Sequence, residues 1–338
     1  MAAALAGAAT VALGARGADA PPRIIRPPRV RPGDLVGLIA PGGAMEDEQI
    51  ERAVRNIESL GLRVKTGANI RLRRGNYAGT SYQQVHDFHA MVSDREVKAI
   101  WSGRGGSGCS LMLPLLDYGL IRAHAKVFVG LSDVTALHLA ILRHAGVVTF
   151  HGPAGISTFS DYSVRYLRAA FMEPRPSYTI ASAEENLRRG ETQPEFAQRT
   201  LAPGVATGRL VGGNLSVLSA LVGTPYAARM RGAVVFLEDI GEEPYRINRM
   251  LTQLVQSGEL AHAAGVMFGA CVRCSVAPGD ATLTLEETLR DRLEPLHVPA
   301  AMGMSFGHLA QHFTIPLGIR ARFDAGERTL TILEPAVV

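Results

Sequence analysis

Gly103, Gly105 and Gly108 in Trp101-Ser-Gly-Arg-Gly-Gly-Ser-Gly108 stand at G-x-G-x-x-G spacing, directly after the apolar run Ala99-Ile100-Trp101. Such a turn can receive a pyrophosphate when a helix opens at its end, because the helix N-terminus offers free N–H groups and a positive dipole end. Here Cys109-Ser-Leu-Met-Leu-Pro114 leaves room for a turn or two before the proline, and Gly119 soon follows. The acidic residue expected about 20 positions on is also out of place, since Asp133 lies 25 beyond Gly108. The pattern disfavours a nucleotide. Two readings are left: a plain structural turn, or glycines that bare backbone N–H groups toward an anion.

The second reading gains from Val127-Phe-Val-Gly-Leu-Ser132-Asp-Val-Thr135. An apolar strand runs into Gly-x-Ser and straight on into a helical pattern, the logic of a nucleophile elbow. The amide of Asp133 is one candidate oxyanion donor, and an amide of the Gly105-Gly106 turn is a second. The stretch departs from G-x-S-x-G because Asp133-Val134 follows the serine. Its competing role is to cap the helix with Ser132 or Asp133.

A serine nucleophile needs a base, and the base needs an orienting carboxylate. Glu238 stands where the apolar run Val234-Val-Phe-Leu237 ends. The histidine candidates are His151, in Phe150-His-Gly-Pro153, and His308, in Phe306-Gly-His308. His308 and His312 share H-x-x-x-H spacing, but Leu309 stands where a zinc-protease helix needs glutamate, and Gly307 and Pro316 crowd any helix there. Metal is not expected. Spacing alone does not choose the histidine.

These residues need elements to hold them. Strands are predicted at Leu35–Ala40, Leu62–Lys65, Val97–Trp101, Lys126–Gly130 and Val147–Phe150. Helices are predicted at Glu46–Leu60, 82–94 and Val134–His144. Short apolar runs alternating with helices argue a parallel α/β sheet. Residues 172–205, with Pro174, Pro176, a charged run and Pro203-Gly204, read as a linker. Beyond it come a helix near Leu215–Val222, a strand at Ala233–Leu237, a helix at Tyr245–Ser257, and strands near 265–273 and 328–333. The division is a leader over 1–32, a nucleophile domain over 33–171, the linker, and a C-terminal domain over 206–338.

The 338 residues suffice for about two domains. The formal charge of +4 comes from the first 31 residues, which hold five arginines against Asp19, so the remainder is close to neutral. No basic stripe with interleaved aromatics appears, and nucleic acid is not an expected partner. Cys109, Cys271 and Cys274 are too sparse for a disulfide framework, and Cys271-Val-Arg-Cys274 reads as two ordinary cysteines on a strand. The opening MAAALAGAATVALGA resembles a signal-peptide core, and Ala18-Asp-Ala20 fits a cleavage site. No basic residue precedes it, however, and Pro21 follows the cut. No other apolar run approaches the ~20 residues that span a bilayer, so stable membrane insertion is not expected.

Several blocks taken together resemble one family, the LD-carboxypeptidases, serine peptidases that include murein tetrapeptide carboxypeptidase and the microcin C immunity peptidase. The blocks are Pro32–Pro41, Ala99–Gly106, Val129–Thr135, Phe150–Pro153, Leu210–Leu215, Leu237–Asp239, Pro244–Arg249, and Phe306–His308 with Thr314–Gly318. They follow in the family's order from about Arg31 to Pro335.

The resemblance implies a flavodoxin/Rossmann-like N-terminal domain with a parallel sheet and a C-terminal α/β domain with a mixed sheet. It implies a Ser132–His308–Glu238 triad at their junction, with the amides of Asp133 and Gly106 as oxyanion hole. It also implies a homodimer, no cofactor, and a murein peptide as substrate, cleaved to release terminal D-Ala. The compartment is cytoplasmic by resemblance, or periplasmic if the leader is a signal peptide. Arg104 and Arg246 are candidates for the substrate carboxylate, which a guanidinium matches in a fork. Leu131, Ser107 and Leu111 depart from the family's usual aromatic, aromatic and arginine, and leave the leaving residue open. An immunity-type peptidase acting on a peptidyl-nucleotide and a non-catalytic muropeptide-binding protein are the alternatives.

Overall fold

The computed structural model describes residues 22–276 and 281–338. The signal-like segment falls on residues 1–21, outside the described residues. Five parallel strands build most of the first sheet: β1 (Leu35–Ile39), β2 (Arg63–Thr66), β3 (Val97–Ser102), β4 (Val127–Gly130) and β5 (Phe150–His151). The middle strands β1, β3 and β4 are near-continuous buried apolar runs, as expected of strands covered on both faces. Helices Asp47–Glu58, Ser81–Ser93 and Thr135–His144 pack against them. The Ser81–Ser93 helix starts at a capping box in which Thr80 and Gln83 each satisfy the other's backbone N–H.

The second sheet takes β6 (Tyr178–Ile180), β7 (Arg199–Ala202), β8 (Val205–Asn214), β9 (Val234–Glu238), β10 (Gly265–Gly269) and β11 (Ala300–Met304). The short β12 (Ile315–Pro316) returns to the first sheet, and β13 (Arg320–Asp324) and β14 (Thr329–Ile332) complete the second. The orders are β12-β5-β4-β3-β1-β2 and β6-β14-β13-β8-β9-β10-β11-β7. Strands β8 to β11 run parallel, and their flanking pairs run antiparallel. This is the mixed α/β architecture expected, with a mostly parallel first sheet and a mixed second one.

Three segments differ from the sequence reading. Residues 172–205 hold β6, the helix Glu184–Arg189 and β7, so the stretch read as a linker supplies two strands to the second sheet. The strand expected at Val147–Phe150 is paired at Phe150–His151, while Val147 makes an isolated bridge to Ile25. Cys271 and Cys274 form a disulfide. Residues three apart on a strand would point to opposite faces, but β10 ends at Gly269 and the turn beyond it brings the two Cα atoms to 5.5 Å.

Candidate active site

Ser132 follows β4 and opens a single 3-10 turn, Ser132–Val134, that continues into the helix Thr135–His144. Its φ is +66°, in the left-handed region that non-glycine residues rarely occupy. This is the strained backbone of an elbow, and it turns the side chain away from the sheet. The glycine turn lies directly against it. A Cβ on Gly105 would sit 2.7 Å from Ser132 Cβ and 3.0 Å from its Oγ, so a side chain here would have to displace Ser132. Gly106 has φ +112°, and among the described residues its amide meets no acceptor.

A second turn braces the first. Gly43 N–H donates to Gly105 O at 2.8 Å. The buried Asp133 carboxylate accepts the Cys109 N–H at 2.8 Å and so ties the far end of the glycine turn to the elbow. The sequence offered Asp133 as an amide donor or a helix cap; its side chain does not cap the helix Thr135–His144 and is instead the strut.

The second sheet brings its own pair. Glu238, the last residue of β9, is fully buried, and its Oε2 lies 2.7 Å from His308 Nδ1. Burial disfavours charge on His308, yet the Glu238 carboxylate and its hydrogen bond hold the ring above its ordinary pKa, and Asp239 adds to this. Burial likewise pushes the Glu238 carboxyl up, but His308 beside it holds it below its usual range. Three buried histidines have the opposite fate. His151, His138 and His312 are fully buried. Burial lowers them to about 4, about 4 and about 3 respectively. Both ring nitrogens of His151 and of His312 meet no hydrogen-bond partner among the described residues. Of the two histidines that spacing left open, the structure pairs only His308 with a carboxylate.

The two edges meet through β8. Asn214, its last residue, lies in register with Glu238 and donates its N–H to Thr135 Oγ1 at 2.9 Å, one turn along from Ser132. Asn214 Nδ2 donates to Asp239 Oδ1 at 3.0 Å, and Asp239 Oδ2 accepts from Ser216 N–H and Oγ. This lattice of Thr135, Asn214, Ser216 and Asp239 had no role in the sequence reading. No hydrogen bond joins Ser132 to His308 among the described residues, and catalytic contacts are commonly long until substrate closes them.

Arg104 lines a cavity of about 360 Å³ with Gly106, Ser107, Arg73 and Asn76, and donates to Ala44 O at 3.3 Å. Arg246 lies in the first turn of the helix Pro244–Gln256, exposed, 3.8 Å from Glu242 and beside the Tyr245 ring. Among the described residues no group of three or more His, Cys, Asp or Glu side chains could hold a metal ion. No described helix is long and apolar enough to cross a membrane.

The sequence matches the LD-carboxypeptidase N-terminal domain over residues 36–152 and the LD-carboxypeptidase C-terminal domain over residues 207–323. It is 36% identical over 313 residues to the probable murein peptide carboxypeptidase of Bacillus subtilis (strain 168), covering 91% of this chain and 94% of that one. It is 30% identical to the murein tetrapeptide carboxypeptidase of Pseudomonas aeruginosa, covering 84% of this chain and 91% of that one. In fold it is similar to the microcin C7 self-immunity protein MccF in its apo state, with a TM-score of 0.83 at 22% identity over 93% of this chain and all of that one. By these matches the chain belongs to the LD-carboxypeptidase family.

Proposed function

We propose that the protein is a serine carboxypeptidase that hydrolyses the L,D peptide bond before the terminal D-Ala of a murein tetrapeptide. The observation that carries the reading is the Glu238–His308 pair at 2.7 Å, on the edge that Asn214 joins to the elbow of Ser132. His308 takes the Ser132 proton as the hydroxyl attacks the scissile carbonyl. Glu238 keeps the ring oriented and stabilises the imidazolium that forms. The amides of Asp133 and Gly106 face the oxyanion, where losing one donor typically costs ~10²–10³ in rate. His308 then hands its proton to the leaving nitrogen, and water releases the acyl enzyme by the same route. Arg104, beside Gly106, has the chemistry to hold a substrate carboxylate on the oxyanion side. The homodimer implied by the family is part of the proposal and is checked by light scattering of the purified chain.

The test is mass spectrometry of murein tetrapeptide incubated with the wild-type protein and with Ser132→Ala. D-Ala released by the wild type alone is the expected result. Release by both removes Ser132 as nucleophile. Release by neither, with a peptidyl-nucleotide cleaved instead, moves the substrate to the immunity-type class. Tight binding of the tetrapeptide without turnover makes the chain a muropeptide-binding protein.

A further inference from the structure

A carboxypeptidase must tell a chain end from an internal peptide bond, and the chemical difference is one free carboxylate. A guanidinium recognises it with two parallel N–H···O bonds. The side on which it must do so follows from the reaction. His308 protonates the leaving nitrogen, and the leaving residue's carboxylate is bonded to the carbon next to that nitrogen. The carboxylate therefore lies toward His308 and away from the oxyanion donors. Arg104 sits with Gly106 on the oxyanion side, and Arg246 faces its own neighbours Glu242 and Tyr245.

A third arginine is better placed. Strand β10 lies between β9 and β11 and runs parallel to both. β9 ends in Glu238, and the chain leaving β11 carries His308. Arg273 leaves the carboxyl end of the strand between them. Its turn is clamped on both sides. Ala270 N–H donates to Met304 O at 3.0 Å on the β11 side, and Gly241 N–H donates to Val272 O at 2.8 Å on the β9 side, where Val272 also bridges Ile240. Arg273 is exposed and, among the described residues, has no ion-pair partner. Its charge reaches His308, where it opposes the effect of Glu238.

The turn is also closed covalently. Arg273 has φ +60°, a left-handed conformation that is strained for a residue with a side chain. The buried Cys271 and Cys274 flank it as a disulfide, with Cys274 N–H donating to Cys271 O at 3.1 Å. Resting on the carboxypeptidase reading above, we infer that Arg273 binds the free carboxylate of the leaving residue and that the Cys271–Cys274 bridge holds it in place to do so. It is a specificity-determining residue, separate from the triad that makes and breaks bonds.

The experiment measures kcat/KM on the tetrapeptide with a free terminal acid and on the same peptide ending in a carboxamide. The proteins are wild type, Arg273→Met, Arg273→Lys and the double variant Cys271→Ser/Cys274→Ser. The wild type is also assayed after a dithiol reductant, which breaks the S–S bond to two thiols while the reagent closes to its own cyclic disulfide. The wild type is expected to prefer the acid, and Arg273→Met to cut the acid-to-amide ratio by about 10- to 100-fold, the worth of a charge-assisted hydrogen bond. Arg273→Lys recovers part of it, and loss of the bridge lowers the ratio through KM on the acid. An unchanged ratio in Arg273→Met, or an equal fall on both substrates, overturns the role of Arg273. A ratio that survives both loss of the cysteines and reduction overturns the role of the bridge. A wild type that releases neither D-Ala from the acid nor D-alaninamide from the amide overturns the carboxypeptidase reading and this inference with it.

Discussion

The two edges that meet at the proposed site hold their chemistry by different means. On the first sheet the means are backbone: a serine at φ +66°, a glycine turn in contact with it, and a strut from Asp133 to the Cys109 amide. On the second sheet they are electrostatic: a fully buried glutamate and a histidine at 2.7 Å, each shifting the other toward its charged form. A nucleophile needs only position, which steric constraint supplies. A base needs position and a tuned proton affinity, which takes a charge in a water-poor place. Shape changes should therefore damage the first edge, and charge changes the second.

The largest expected effect is on the proposed nucleophile. Ser132→Ala should lower kcat by at least about 10⁴-fold, as loss of a triad member does. Ser132→Gly should be equally inactive yet melt higher than Ser132→Ala, because glycine occupies the left-handed region without the cost that alanine carries. A lower melting temperature for the glycine variant would remove backbone strain from the account of this edge.

On the other edge, Glu238→Gln keeps the shape and removes the charge. Turnover should fall by about 10²- to 10⁴-fold. The acid limb of kcat/KM is the sharper readout. His308 must be neutral to act as base, so activity is lost as pH falls through its raised pKa. Without the carboxylate, burial is left to dominate and the residual activity should persist to lower pH. An acid limb that stays put would mean that Glu238 does not tune His308. Gly105→Ala tests shape without charge. Its Cβ would come within 2.7 Å of Ser132 Cβ, and a loss of about 10²-fold in kcat with an unmoved acid limb is expected. A shifted limb would mean that the two edges are not separable.

Legibility in the sequence followed the same division. The elbow at Ser132 and the strand-end position of Glu238 could be read because strand, turn and helix are local patterns. Spacing did not choose between His151 and His308, because that depends on which ring lies against Glu238 in space; only the family resemblance pointed to His308. The Asp133 strut and the Thr135–Asn214 contact are side-chain bonds across 24 and 79 residues, which no local pattern encodes. The second sheet was harder to read than the first because β6 and β7 are short and sit among prolines and charges. They owe their order to strands far along the chain, β14 and β11. The Cys271–Cys274 bridge is hidden in the sequence because the apolar run continues through Val272, past the end of β10 at Gly269, and masks the turn.

The smallest expected effect concerns the histidines on which no role falls. His151 packs edge-on to Phe236, with ring centroids 5.4 Å apart, and burial holds its pKa at about 4. In the unfolded chain it titrates near 6.5, so between those values the unfolded state binds the extra proton and the fold loses stability as pH falls. The contribution is complete above about pH 6.5 and is lost progressively down to about pH 4, on the order of a few kcal/mol at about 1.4 kcal/mol per pKa unit. His308 runs the other way: with its pKa raised, its contribution is present below about pH 6.5 and is lost as pH rises through the raised value. His151→Phe keeps a ring against Phe236 and removes the titration. Its melting temperature should fall less steeply than that of the wild type between pH 6.5 and 4.5, with activity at neutral pH changed by no more than a few-fold. Parallel curves would mean that His151 is protonated or solvated in the fold, and the contrast between a buried neutral histidine and the paired His308 would then rest on His312 and His138 alone.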